Sequence, residues 1–147
     1  MTSPRCHTLY TIGSSNRSEN EFIAMLTGHG ITEVIDVRPT TGSRTLHFDE
    51  CRFGNLSAML TRHGIVYDST LQLDLSGCRL GRPTLGAFRR YTATDDFDAG
   101  LMSLRITVRA NTTGSTAIMC YERSHKQCHR RIIGDAIERS GWTVVHL

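Results

Sequence analysis

No apolar run in this sequence approaches the roughly 18 residues that a membrane-spanning helix requires, and no leader with an apolar centre opens it. A membrane-spanning or exported protein is therefore not expected. C-x-x-C pairs are missing as well. The five cysteines, Cys6, Cys51, Cys78, Cys120 and Cys128, are odd in number and widely spaced, which argues against a disulfide framework and for a reducing, cytoplasmic setting. Only three prolines occur, too few for a Pro-rich disordered tract. Charge of one sign is scarce: 17 basic against 14 acidic residues leave +3. That allows an anionic partner without demanding nucleic acid.

What is there suits one globular core. A chain of 147 residues, 39% hydrophobic and 21% charged, can bury about two-thirds of its unfolded surface without disulfides or metals, so a single domain over 1–147 is expected. "TLYTIG", Thr8 to Gly13, is a short β-rich run ending in glycine. Ser18 and Glu21 after it have capping-box spacing, and Phe22, Ile23 and Leu26 give the helix they start an apolar face. "TEVIDV", Thr32 to Val37, follows as a second strand, which makes β-α-β. Ala24 to Ile31, "AMLTGHGI", then recurs as Ala58 to Ile65, "AMLTRHGI", seven of eight positions identical at a spacing of 34 residues. That is about one βα unit, and both copies mark a helix end entering a strand. His29 and His63, at those ends, are read as structural, since a cation near a helix C-terminus is favourable.

A third strand is expected at Ile65 to Tyr67, then a Gly/Arg-rich connection from Ser69 to Pro83 and a helical region from Leu85 to Arg109. Thr94, Asp95 and Asp96 should break that region, because these residues favour caps and turns. "STAIMCY", Ser115 to Tyr121, has the continuous apolar character of a strand buried on both faces. A last helix from Gln127 to Ser140 would turn Ile132, Ile133, Ala136 and Ile137 inward, stop at Gly141 and lead into "WTVVHL". The fold class is therefore α/β: a three-layer sandwich on a mainly parallel, five-stranded, Rossmann-like sheet.

Such sheets bind ligands beyond the C-terminal ends of their strands. There the first strand would deliver Ser14, Ser15, Asn16 and Arg17, the second Asp36 and Arg38 with Arg44 beyond, and the fourth "CYERSHKQCHR", Cys120 to Arg130. In that last stretch Ser124 and Gln127 have capping-box spacing, and the helix they start offers unpaired N–H groups to an anion. His129 and Arg130 sit in its first turn, and Arg130, with Arg38 and Arg44, could grip phosphate or carboxylate bidentately. Ser14 to Arg17 form a small hydroxyl-rich turn that is not G-x-G-x-x-G. Glu122 is the carboxylate best placed as acid or base, and Asp36 is the second candidate. Cys128, at a helix start beside Arg130, could be an activated thiolate, whereas Cys120 ends an apolar strand and reads as a core thiol. The C-x5-R loop of cysteine phosphatases would need arginine where Lys126 stands. For zinc, Cys120, Cys128 and His129 lack C-x-x-C spacing, and adjacent helical residues point about 100° apart. No metal or other cofactor is indicated.

Several motifs together resemble the family of unknown function called DUF488: "TIGSSNRS" (Thr11 to Ser18), "DVR" (Asp36 to Arg38), Ser43-Arg44 followed by Phe48, "FRRYTATDDFDAGL", "MCYERSHKQCHR" and the closing "GWTVVHL". The resemblance implies a compact α/β domain with the arginines, the glutamate and the Cys-His-Arg run on one rim. It departs in two places: the family's T-I-G-H-S-N has Ser14 at its histidine, and its L-G-G is replaced by Leu75-Ser76-Gly77. The resemblance supplies no reaction.

The reading reached is an enzyme, a hydrolase or transferase, acting on a phosphate-bearing small molecule or nucleic acid. Two carboxylates near a cationic rim would suit N-glycosidic or related hydrolysis. The alternatives are a non-catalytic nucleotide or nucleic-acid binding domain and a thiol- or metal-dependent enzyme at Cys128. No membrane partner is expected, and a homodimer is allowed.

Overall fold

The computed structural model describes residues 7–13, 18–37, 56–75, 85–120 and 129–147. Its first strand, β1 (Thr8–Gly13), leads to helix α1 (Glu19–Gly28) and strand β2 (Ile31–Asp36). Ser18 caps α1 as its spacing predicts, the Oγ accepting from the Glu21 N–H at 3.1 Å. The repeated octapeptide closes α1 and helix α2 (Leu56–Arg62) in the same way. Gly30 and Gly64 take φ of 68° and 73°, a left-handed conformation that glycine adopts without a Cβ penalty, and each chain then enters a strand. His29 donates from Nδ1 to the Met25 carbonyl, 2.8 Å away, as a helix-end residue.

Strand β3 (Val66–Asp68) begins one residue later than expected, because the Ile65 N–H is still bonded to the Leu60 carbonyl at 2.9 Å. Within the expected Ser69 to Pro83 connection lies a one-turn helix, α3 (Gln72–Leu75), too short to show a helical period in the sequence. Helices α4 (Leu85–Tyr91) and α5 (Asp95–Ala110) are separated where Thr94 was expected to break them. Thr94 caps α5, its Oγ1 accepting from the Phe97 N–H at 3.3 Å. Strand β4 (Ser115–Cys120), helix α6 (His129–Glu138) and strand β5 (Thr143–His146) complete the order, and Gly141, at φ 87°, ends the last helix turn.

All strand pairs are parallel, in the order β3-β2-β4-β1-β5. The chain moves outward from β1 to β2 and β3, then returns to place β4 between β2 and β1. Right-handed crossovers therefore put α1 and α2 on one face and the later helices on the other. The packing agrees. Phe22, Leu26, Met59 and Leu60 meet Ile12, Val34 and Met119 on the first face. On the second, Phe88, Phe97, Leu104, Ile133 and Ile137 meet Leu9, Ile35 and Ile118. Alternate residues of the inner strands β1, β2 and β4 thus feed two cores. No helix of the described residues is long and apolar enough to cross a membrane.

Candidate functional site at the strand ends

The reversal of direction falls at β4. β1 and β2, its two neighbours, hand the chain to the α1/α2 face, whereas β4 hands it to α6 on the other, so the end of β4 is the switch point at which doubly wound sheets bind their ligands. The strand ends at that point are Gly13, paired with Cys120, and Asp36, paired with Met119. Val37 continues the β2 side, its N–H bonded to the Met119 carbonyl at 3.0 Å.

Asp36 is fully buried on the α1/α2 face, in phase with Val34, and Tyr67 of β3 donates its hydroxyl to Asp36 Oδ2 at 2.6 Å. Arg130, in the first turn of α6, is also fully buried, on the opposite face. Its Nη1 donates to Thr11 Oγ1 at 3.1 Å and to the Leu147 main-chain oxygen at 3.3 Å. Thr11 Oγ1 lies 2.6 Å from His146 Nδ1. A guanidinium only donates, so Thr11 accepts from Arg130 and is left to give its own proton to Nδ1, an arrangement that keeps the imidazole proton on Nε2. The close seat of α6 depends on Gly134: a Cβ there would stand 3.1 Å from His146 Cε1 and 3.2 Å from Val144 Cγ1.

Asp36 and Arg130 thus flank the end of β4 from opposite sides of the sheet. Thr11, His146 and Tyr67, which hold them, were not singled out from the sequence. Tyr67 could have been, since it shares the two-residue phase of Val34 once the strands are paired. The Arg130 burial also had a signal, because Ile133 and Ile137 follow it at helical spacing. Ser14, Ser15, Asn16, Arg17, Arg38, Arg44, Glu122, Ser124, Gln127 and Cys128 lie outside the described residues, as does the side chain of His129. Cys120 is buried, 3% exposed, at the end of an apolar strand, as a core thiol should be. Among the described residues no three His, Cys, Asp or Glu side chains converge as metal ligands. His125 precedes His129 by four residues, an H-x-x-x-H spacing found in zinc sites, which adds one sequence-level ligand to Cys120, Cys128 and His129. That set, too, extends outside the described residues.

The other end of the sheet is built differently. Asn111 Nδ2 donates to Thr116 Oγ1 at 2.9 Å, and Thr116 donates to Glu33 Oε1 at 3.3 Å. Burial pushes the Glu33 carboxyl above its ordinary 4.5; the Thr116 hydrogen bond opposes this, and the nearby Asp68 charge adds to it. A cavity of about 390 Å³ lies here between Thr8, Arg109, Asn111 and Ser115. It lies at the strands' N-terminal ends, away from the end of β4 where Asp36 and Arg130 sit.

The model of the family described as "Domain of unknown function DUF488" matches residues 18–137. The chain belongs to the DUF488 family. Most of α1 through α6 falls within the match, so Asp36, Tyr67 and Arg130 are inside it, while Thr11 and His146 lie beyond its ends. No curated protein and no solved structure matches the chain.

Proposed function

We propose that this DUF488 protein is an enzyme whose crevice above β4 takes a phosphate-bearing substrate, a nucleotide or nucleic acid, and hydrolyses an N-glycosidic or related bond. The supporting observation is the pair of fully buried, oppositely charged side chains, Asp36 and Arg130, brought to either side of one strand end. Burying charge is costly and has to be offset by partners, and groups so placed beside a cleft are concentrated at functional sites. In this reading Arg130 is a positioning residue. Tied to Thr11 and Leu147, it fixes the start of α6, whose N-terminal dipole and N–H groups favour the phosphate. Arg38 and Arg44 supply the bidentate contacts.

Glu122 acts as the acid that protonates the leaving nitrogen as the C–N bond breaks, and Asp36 stabilises the positive charge left on the sugar. Water then adds its oxygen to that carbon and gives up its proton to the glutamate, so the acid is regenerated. Ser14, standing where the family has histidine, favours a second reading, in which the same crevice binds the ligand without turning it over. Glu122→Gln and Asp36→Asn separate the two. The enzyme reading expects turnover of a nucleoside or nucleotide to fall by about a hundredfold or more with affinity nearly kept. Turnover unchanged in both variants would defeat it.

A further inference from the structure

The outward side of α5 carries a stripe that neither core uses. The helix buries Phe97, Leu101, Leu104 and Val108 inward. Yet Ala99, Met102, Ser103, Ile106 and Ala110 recur at three- and four-residue spacing on the exposed side. Met102 and Ile106 are each 58% exposed, where a surface helix ordinarily places polar residues. Val66, on the open edge of the sheet and 59% exposed, shares a concavity of about 280 Å³ with Ile106 and Ala110, so the apolar surface runs off the helix toward β3.

Charge is sorted along the same helix. Asp95, Asp96 and Asp98 occupy its first turn, and Arg109 its last. The helix dipole favours that order, but it does not explain the stripe between. The ion pairs among the described residues, Arg62 with Glu19 and Arg131 with Asp135, engage neither Asp95 nor Asp98 nor Arg109. An acidic head, a basic tail and a middle of alternating large and small side chains make a surface complementary to itself when reversed.

We propose that α5 is a dimerisation surface for a second copy of this chain, the two helices packing antiparallel about a two-fold axis beside Met102 and Ser103. About that axis Met102 meets the partner's Ser103, Ala99 meets the partner's Ile106, and the acidic first turn meets the partner's Arg109. Large faces small, acid faces base, and one patch serves both subunits, as an isologous interface requires. The inference does not depend on what the crevice binds.

Sedimentation velocity over a wide concentration series tests it. The wild-type mass should rise from 16.4 kDa toward twice that value, and Met102→Glu with Ile106→Glu should hold it at the monomer while circular dichroism stays unchanged. Arg109→Glu and the pair Asp95→Arg with Asp96→Arg should each weaken self-association, and mixing the two variants should restore a dimer. A wild-type chain that stays monomeric at every concentration overturns the proposal. So does a dimer indifferent to the Met102 and Ile106 changes, or a charge-swapped mixture that does not pair.

Discussion

Replacing Thr11 with valine keeps the shape of a fully buried side chain and removes only its hydroxyl. That hydroxyl is the joint between Arg130 Nη1 at 3.1 Å and His146 Nδ1 at 2.6 Å, so the fully buried Arg130 loses a bond that water cannot readily replace, and the half-buried His146 loses a second. A hydrogen bond to a charged group contributes about 1.5–3 kcal/mol and a neutral one about 0.5–1.5. The loss should therefore be about 2–4 kcal/mol, a large share of the 5–15 kcal/mol typical of a domain. For a chain of this size it should lower Tm by roughly 5–15 °C. Thr11→Ser keeps both bonds and gives up one buried methyl, for about 1 kcal/mol. Urea unfolding of the two variants beside wild type measures the difference. If Thr11→Val stays within about 0.5 kcal/mol of wild type, as a surface change would, or if serine is as damaging as valine, the joint does not hold Arg130.

Glu33 gives a pH dependence of definite sign. Its folded pKa is raised by burial, so its contribution to stability is complete below the ordinary 4.5 and is lost as pH rises through the raised value. Glu33→Gln keeps a partner for Thr116 without the charge, so its stability relative to wild type should climb through that interval and then level; an unchanging difference from about pH 4 to 7 would contradict this. Gly114→Ala should cost more than Gly134→Ala. The first places a Cβ 2.7 Å from the Gly30 carbonyl oxygen, which is backbone, and the second only 3.1 Å from the far edge of His146. Thermal melts that rank them the other way would show that the turn beside Thr32 yields easily. For the thiol or metal alternative, metal analysis of purified protein and a Cys128→Ser variant decide: a stoichiometric metal, or activity abolished by that change, would displace the acid–base reading.

Much of the fold was legible because its signals are local. Ser18 and Thr94 cap helices where their spacing predicted, and the repeated octapeptide ends two helices through Gly30 and Gly64. Five short strands and their parallel sense followed from apolar runs alternating with helical ones. What was not legible is what depends on pairing at a distance. Strand order decides that Asp36 and Arg130 approach β4 from opposite faces, and nothing within either strand or helix states it. Thr11 meets His146 across 135 residues of sequence only because β1 and β5 are neighbours. The helix α3 was missed because one turn is too short for a period. Arg130 was read as a rim cation from its place at a helix start, whereas its phase with Ile133 and Ile137 turns it inward. The charge at this site is therefore partly built into the core.

The central claim, that ligand chemistry sits above β4, is tested most directly by titrating the labelled protein with a nucleoside monophosphate and following backbone amide shifts. Saturable changes should cluster at Gly13, Val37, Cys120 and the first turn of α6. Changes confined to Thr8, Asn111 and Ser115 at the opposite strand ends, or none at all, would contradict it.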